Sequence, residues 1–251
     1  MRRVLVTGGA KRIGRTIVDR LASDGWDVAI HHHSSADDAA AAADYVRSLG
    51  RNSVAVSANL EDVTAIRHMA SEVCDALGPL TAVVNNASVF IGDDVKTEDF
   101  EVWDQHMDVH LKAPYVLTQE LMKQVPKGKL GSVVNVIDQR VFNPSKHFPS
   151  YTMSKMALWD QTQVLARALA PNIRVNAVGP GPVLPSPRQS QEDFDIQARQ
   201  TPLERAVEPA EIAAAVSFLL DAPSVTGQMI AVDSGQFMNW AYETEETKPR
   251  E

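Results

Sequence analysis

The chain has 251 residues, 44% of them hydrophobic, enough apolar material for one sizeable α/β core without a second domain. A formal net charge of -8, with no cluster of Lys and Arg, argues against sequence-independent affinity for nucleic acid or an anionic membrane and leaves small molecules or protein chains as partners. The single cysteine, Cys74, excludes an intramolecular disulfide and fits the cytosol, and the apolar run after Arg2 and Arg3 is too short for a signal peptide or a membrane span.

Residues 3 to 7 read as a short buried strand. It ends in Thr7-Gly8-Gly9-Ala10-Lys11-Arg12-Ile13-Gly14, after which Ile17, Val18 and Leu21 recur at helical spacing. A strand, a glycine turn and a helix bring backbone amides and the positive helix end to a pyrophosphate, with Gly8 and Gly14 allowing close approach. A plain βα connection gives the same pattern.

The second strand, Asp27 to His31, ends where an Asp or Glu would bind the ribose 2′-hydroxyl of NAD(H). His31, His32, His33, Ser34 and Ser35 stand there instead. With no acid to repel a 2′-phosphate and with Arg12 in the turn, the balance favours NADP(H). Consecutive strand residues point to alternate sides, so the three histidines do not converge on an ion and no metal site is expected.

Asp37 to Leu49 is an alanine-rich helix ended by Gly50. Val54 to Ser57 is a third strand, followed by Asn59-Leu60 at a strand end where adenine could lie, and Val63 to Leu77 is the next amphipathic helix. Leu80 to Val84 is a continuous apolar strand that runs into Asn85-Asn86-Ala87-Ser88-Val89-Phe90. Phe100 to Val125 predicts one long or two joined helices, with Pro114 at a kink or first turn. Ser132 to Ile137 is the fifth strand and delivers Asp138 at its carboxyl end, where ligands bind in open parallel sheets. Tyr151 to Leu169 is the longest helix, Ile173 to Val178 a sixth strand feeding Gly179-Pro180-Gly181-Pro182, and Val183 to Arg205 a weakly periodic segment expected to be a lid or disordered. Glu208 to Leu220 is a final helix and Met229 to Val232 a last strand. The alternation predicts an α/β doubly wound parallel sheet of about seven strands with helices on both faces over residues 1–235, followed by a polar, acidic tail over 236–251.

Tyr151 and Lys155 are four apart, which stacks a phenol and an ammonium on one helix face. A fixed ammonium favours the phenolate, so such a hydroxyl can give up and regain a proton near neutrality. Asp138 can face the same pocket. Its bland alternative is a strand-end residue capping a neighbouring amide.

Thr7-Gly8 through Gly14, Asn85-Asn86-Ala87, Tyr151-x-x-x-Lys155, Arg174-Val175-Asn176 and Pro180-Gly181 resemble, in order and spacing, the short-chain dehydrogenase/reductase family. The resemblance covers residues 3 to about 235 and implies a single Rossmann-type domain, with Tyr151 as catalytic acid and Lys155 holding the nicotinamide ribose. Two departures point to one branch: Arg12 stands where most members have Gly, and Asp138 where most have Ser, as in the pteridine and dihydromonapterin reductases. The Asn-Asn-Ala-Ser-x-Phe run ending at Phe90, His31 with Ser35, and Ser145-Lys146-His147 are similar to that branch as well. Ser34 stands where trypanosomatid-type members have Arg, and Asn59 where the family usually has Asp. His110 stands where many members have a relay Asn; a helical histidine bonded to a backbone carbonyl is the other reading.

The resemblance implies cofactor contacts from Gly8, Arg12, Ile13, Gly14, His31, His32, Ser34, Ser35, Asn59, Leu60, Asn86, Ala87, Ser88, Tyr151, Lys155, Pro180 and Gly181. It implies substrate contacts from Ser88, Phe90, Asp138, Tyr151 and Pro182, with Phe90 stacking on a pterin. A carboxylate repels the oxyanion of a reduced ketone. Asp138 therefore suits a substrate whose reacting C=N bond gains a proton on nitrogen, or one that offers N–H donors. The expected activity is NADPH-dependent reduction of a dihydropterin by a cytoplasmic homotetramer; the alternatives are a carbonyl reductase or alcohol dehydrogenase of another substrate, and a non-catalytic NADP-binding module.

Overall fold

A computed structural model describes residues 2–186 and 188–238. Most of the acidic tail expected over 236–251 therefore lies outside the described residues; its first part, Gln236–Met238, forms a 3-10 turn. The elements alternate: β1 (Arg3–Val6), α1 (Arg12–Ser23), β2 (Asp27–His32), α2 (Ala36–Ser48), β3 (Ser53–Ser57), α3 (Val63–Leu77) and β4 (Ala82–Asn85). Then follow α4 (Glu101–Met107), a π-helical turn (Asp108–Lys112), α5 (Ala113–Gln124), β5 (Gly131–Val136), a 3-10 turn (Gln139–Val141), α6 (Pro149–Ala168), β6 (Ile173–Pro180), α7 (Gln191–Arg199), α8 (Pro209–Asp221) and β7 (Met229–Val232).

The seven strands form one parallel sheet in the order β3-β2-β1-β4-β5-β6-β7. Strand order reverses between β1 and β4, and a doubly wound sheet opens its ligand crevice beyond the carboxyl ends at that point. Side chains alternate across the sheet. Val4, Val6, Val28, Ile30, Val84, Val134 and Val178 pack under α1, α2 and α8, while Leu5, Ala29, Val83, Val133 and Val175 pack under α3, α5 and α6. Strands buried on both faces read as continuous apolar runs, which is why the sequence marks them clearly.

A buried polar chain crosses the second face. Asn85 Nδ2 donates to Asn135 Oδ1 on the neighbouring strand at 2.7 Å, Asn135 Nδ2 donates to Thr162 Oγ1 at 2.9 Å, and Thr162 donates to the Leu158 carbonyl at 2.8 Å. At the far edge, the buried Arg174 donates to the carbonyls of Leu219, Leu220 and Val225, while Asn176 binds Val225 O and Gln228 N–H. The Arg174-Val175-Asn176 motif thus bolts the end of α8 and the approach to β7 onto β6, satisfying carbonyls that a helix end leaves open.

The segment from 183 to 205 carries regular structure that its weak periodicity does not announce. It contains α7, capped by Ser190, whose Oγ accepts from Asp193 N–H at 3.1 Å. Phe194 and Ala198, one turn apart, are its buried residues, and so narrow an apolar stripe leaves little periodicity in the sequence. Among the described residues, no helix is long and apolar enough to cross a membrane.

Candidate active site

The first wall is the glycine turn. Gly8 has φ +61°, and a Cβ on Gly14 would fall 2.0 Å from the Gly8 carbonyl oxygen and 2.6 Å from Asn86 Nδ2, so only glycine lets the helix start this close to the turn. Thr7 and Asn86 weld this turn to the end of β4. Thr7 Oγ1 accepts from the N–H groups of Asn86 and Ala87, and Asn86 Nδ2 donates to the carbonyls of Thr7 and Gly8.

Arg12 has φ +52°, in the left-handed region where glycine is favoured, and its guanidinium donates to the Pro185 carbonyl at 3.0 Å. The turn is thereby tied to the 183–205 segment. Ile13 is partly buried on the α1 side, the exposed Ser34 and half-buried Ser35 immediately precede α2, and Lys11 of the turn pairs with Asp38 in the first turn of that helix.

His31, expected among the cofactor contacts, turns its ring onto the scaffold. It is buried; its Nδ1 accepts from Gly8 N–H at 3.1 Å and its Nε2 faces the Ala58 carbonyl at 3.1 Å. Both ring nitrogens are used on the scaffold, because a strand residue at this register points inward. Burial, outweighing the bond to Ala58, holds the imidazole at about 4. His32 is half-buried, Leu60 is buried, and the exposed Asn59 turns its side-chain oxygen to Glu61 N–H.

The second wall brings together a carboxylate, a phenol and an ammonium. Asp138 leaves β5 and caps the 3-10 turn: Oδ1 accepts from Arg140 N–H at 2.8 Å, and Oδ2 accepts from the Tyr151 hydroxyl at 3.0 Å. The capping and pocket-facing readings hold together, one oxygen serving each. Arg140 Nε stands 3.5 Å from Oδ2. Lys155, fully buried one turn below Tyr151, donates to the Val136 carbonyl at 3.2 Å and lies 5.7 Å from the Tyr151 ring centre. Burial pulls its ammonium down to about 8, against the pull of Asp138 upward.

Aromatic rings line the mouth. Phe90 packs edge-on to Tyr151 with centres 4.7 Å apart and against Phe148 at 4.6 Å, while the Arg188 guanidinium sits 4.8 Å from the Phe90 ring centre. Phe148 has φ +54° immediately before Pro149, a strained conformation for a bulky residue, of the kind found at functional sites at a cost of about 1–3 kcal/mol. Ser88 is exposed at this mouth, whereas Pro182 is buried, its carbonyl accepting from Val207 N–H. Gly181 lies against β7: a Cβ there would meet Asp233 Cα at 2.6 Å. Pro180 is the last residue of β6, half-buried beside it.

Residues 2–195 match the family model described as short chain dehydrogenase. The chain belongs to the short chain dehydrogenase family. Among solved structures, this short chain dehydrogenase is similar to FolM alternative dihydrofolate reductase 1 from Brucella suis, in complex with NADP: 47% identity, TM-score 0.93, covering 98% of each chain. The Brucella canis protein of the same description, complexed with NADP, is 46% identical with TM-score 0.90 over 98% of this chain and 97% of that one. Among curated proteins, the 3-oxoacyl-[acyl-carrier-protein] reductase FabG of Staphylococcus epidermidis is 31% identical over 241 residues, 93% of this chain and 98% of that protein.

The geometry fits the nicotinamide dinucleotide that this family uses. Gly8 and Gly14 bring bare backbone to the start of α1, and Tyr151 and Lys155 share one helix face beyond the sheet's carboxyl ends. Residue types alone did not single out His106, Phe148, Arg140 or Arg188. A spacing signal did exist for the first: His106 precedes His110 by one turn, as Ser150 precedes Ser154.

Proposed function

We propose that this short chain dehydrogenase is an NADP(H)-dependent reductase of a dihydropterin, of the dihydromonapterin, dihydrobiopterin or dihydrofolate type. The observation that carries the reading is the bond from the Tyr151 hydroxyl to Asp138 Oδ2 beside the Phe90 ring. The FolM proteins, by their description dihydrofolate reductases, support it.

When bound, the dinucleotide supplies two electrons as a hydride from its nicotinamide ring. Arg12, Ile13, Asn86, Ala87, Pro180 and Gly181 line its path, and the absence of an acid after β2, with Ser34 and Ser35 there instead, favours the 2′-phosphate form. Phe90 offers a face to a flat heterocycle. Asp138 accepts N–H donors of that ring, and Tyr151 delivers the proton to a ring nitrogen while Asp138 holds the phenol in line. Lys155, a cation in a dry setting, steadies the phenolate left behind.

A substrate panel tests this. The reading predicts turnover of a dihydropterin with NADPH; efficient turnover of a 3-oxoacyl thioester or simple ketone with no dihydropterin activity overturns it. The second outcome would align the chain with its FabG-like relatives. We also propose a cytosolic homotetramer built on α5 and α6, whose outer faces expose Tyr115, Met122, Met153, Met156 and Val164. A monomeric mass in solution would refute the assembly.

A further inference from the structure

Two buried histidines stand beside the Tyr151, Lys155 and Asp138 group, His106 on α4 and His110 in the π-helical turn, facing Ser150 and Ser154 on α6. The rings stack with centres 5.5 Å apart and planes 19° from parallel. Both repeat one bonding pattern. His106 Nδ1 lies 2.7 Å from Ser150 Oγ and His110 Nδ1 lies 2.8 Å from Ser154 Oγ. His106 Nε2 accepts from Ile91 N–H at 3.3 Å, and His110 Nε2 accepts from Val89 N–H at 3.1 Å, with the Ser88 hydroxyl also 3.0 Å from it.

A backbone N–H can only donate, so each Nε2 carries a lone pair and the single proton of each neutral ring sits on Nδ1, donated to a serine. The Ser154 hydroxyl in turn donates a hydrogen bond to the Tyr151 carbonyl at 2.7 Å. His110 therefore has no nitrogen left for a substrate. Asp93 adds a third tie, Oδ2 accepting from Ser150 N–H at 3.1 Å. The segment after β4 is thus fastened to α6 at residues 89, 91 and 93, and Phe90 lies between the first two. The Tyr151 ring stands edge-on to both imidazoles, 5.8 and 5.4 Å away.

We propose that His106 and His110 are positioning residues, a two-rung clamp that fixes Phe90 relative to Tyr151 and so sets the seat of the substrate ring. This rests on the reading of Phe90 and Tyr151 as substrate contacts. The charged and titratable neighbours are Asp93 from the loop, Lys155 and the Tyr151 phenol from α6, and each histidine for the other. A second proton would turn an acceptor into a donor facing an N–H and open that rung. Burial opposes it in both rings.

The test uses the full chain with histidine-labelled ring-nitrogen NMR, assigned with His106→Gln and His110→Gln, and amide hydrogen exchange at Val89 and Ile91. Both rings are expected neutral with the proton on Nδ1 at neutral pH, and both amides protected. His106→Phe and His110→Phe, which keep a ring and lose the acceptor, should each speed exchange of the facing amide by about tenfold or more, and Gln, with its carbonyl, should restore protection in part. In the same Phe variants the KM of the reducible substrate should rise by about tenfold at unchanged NADPH affinity. A proton on Nε2, a charged ring at neutral pH, or exchange unaltered in the Phe variants overturns the clamp. Loss of protection with KM unmoved overturns the positioning role. Ring state and exchange do not depend on which substrate is turned over; if a ketone replaces the dihydropterin, KM is read on the ketone and decides in the same way.

Discussion

The Tyr151 hydroxyl donates to Oδ2 of Asp138 at 3.0 Å, while Oδ1 of the same carboxylate is held by Arg140 N–H. The phenol is thus oriented by an acceptor-only group with a fixed side-chain angle. Replacing Asp138 by Ser substitutes a hydroxyl that can donate to an oxyanion. Dihydropterin kcat/KM should fall by about 100-fold or more while the NADPH dissociation constant stays within about threefold, and any ketone activity should hold or rise. Steady-state kinetics on both substrate classes, with fluorescence titration of NADPH, reads all three.

Lys155 is entirely buried, and its ammonium is held at about 8 rather than 10.5. In the unfolded chain this group stays charged to higher pH, so the charged amine opposes folding fully below pH 8, and the opposition fades as pH rises toward 10.5. Lys155→Met should abolish turnover yet raise stability at neutral pH by on the order of 2 kcal/mol. Urea melts at neutral and alkaline pH should show the gap between variant and native protein narrowing with pH; a variant less stable at neutral pH contradicts the argument.

His31 is neutral, buried and held at about 4. Its ordinary value is 6.5, so the unfolded chain binds a proton there first and stability falls as pH drops from 6.5 toward 4. The contribution lost across that window is about 3 kcal/mol, and the burial-lowered His106 and His110 act in the same direction. Denaturation midpoints measured across the window should decline, and less steeply in His31→Asn if that variant folds.

Arg174 holds two carbonyls at the end of α8, those of Leu219 and Leu220, and a third, that of Val225, on the approach to β7. Truncation to Ala leaves them unpaired in a buried setting and should cost about 2–4 kcal/mol, read as a lower urea midpoint with NADPH affinity retained at low denaturant. An unchanged midpoint would mean that solvent reaches these groups.

Arg12 sits at φ +52°. Glycine relieves that conformation but gives up the bond to Pro185, so Arg12→Gly should leave stability within about 1 kcal/mol while NADPH affinity drops. Equal affinity for NADPH and NADH in both proteins would remove Arg12 from cofactor selection.

Much of this was legible in advance, for physical reasons. Strands covered on both faces betray themselves as apolar runs, and the phenol, ammonium and carboxylate at 151, 155 and 138 are chemically conspicuous. Pro114 falls in the first turn of α5, as its missing N–H requires. What stayed hidden depends on direction rather than type. His31 looks like a ligand residue, yet its ring turns inward to Gly8 and Ala58. Pro182 is buried as well. The helix over 191–199 carries too few inward apolar residues to show a period, and the ties from Val89 and Ile91 join backbone groups to side chains distant in sequence, which no local pattern records.

Parallel strands lack the hairpin that sets stagger in antiparallel pairs, and β4 and β5 are joined only through a long helical crossover. The amide-to-amide bond between Asn85 and Asn135 supplies what a turn would. A slip of one position would break that bond and set Asn85 opposite Val134 or Val136. These two carboxamides therefore act as an alignment pin, bringing the edge that leads to Ser88 and Phe90 level with the edge that ends at Asp138.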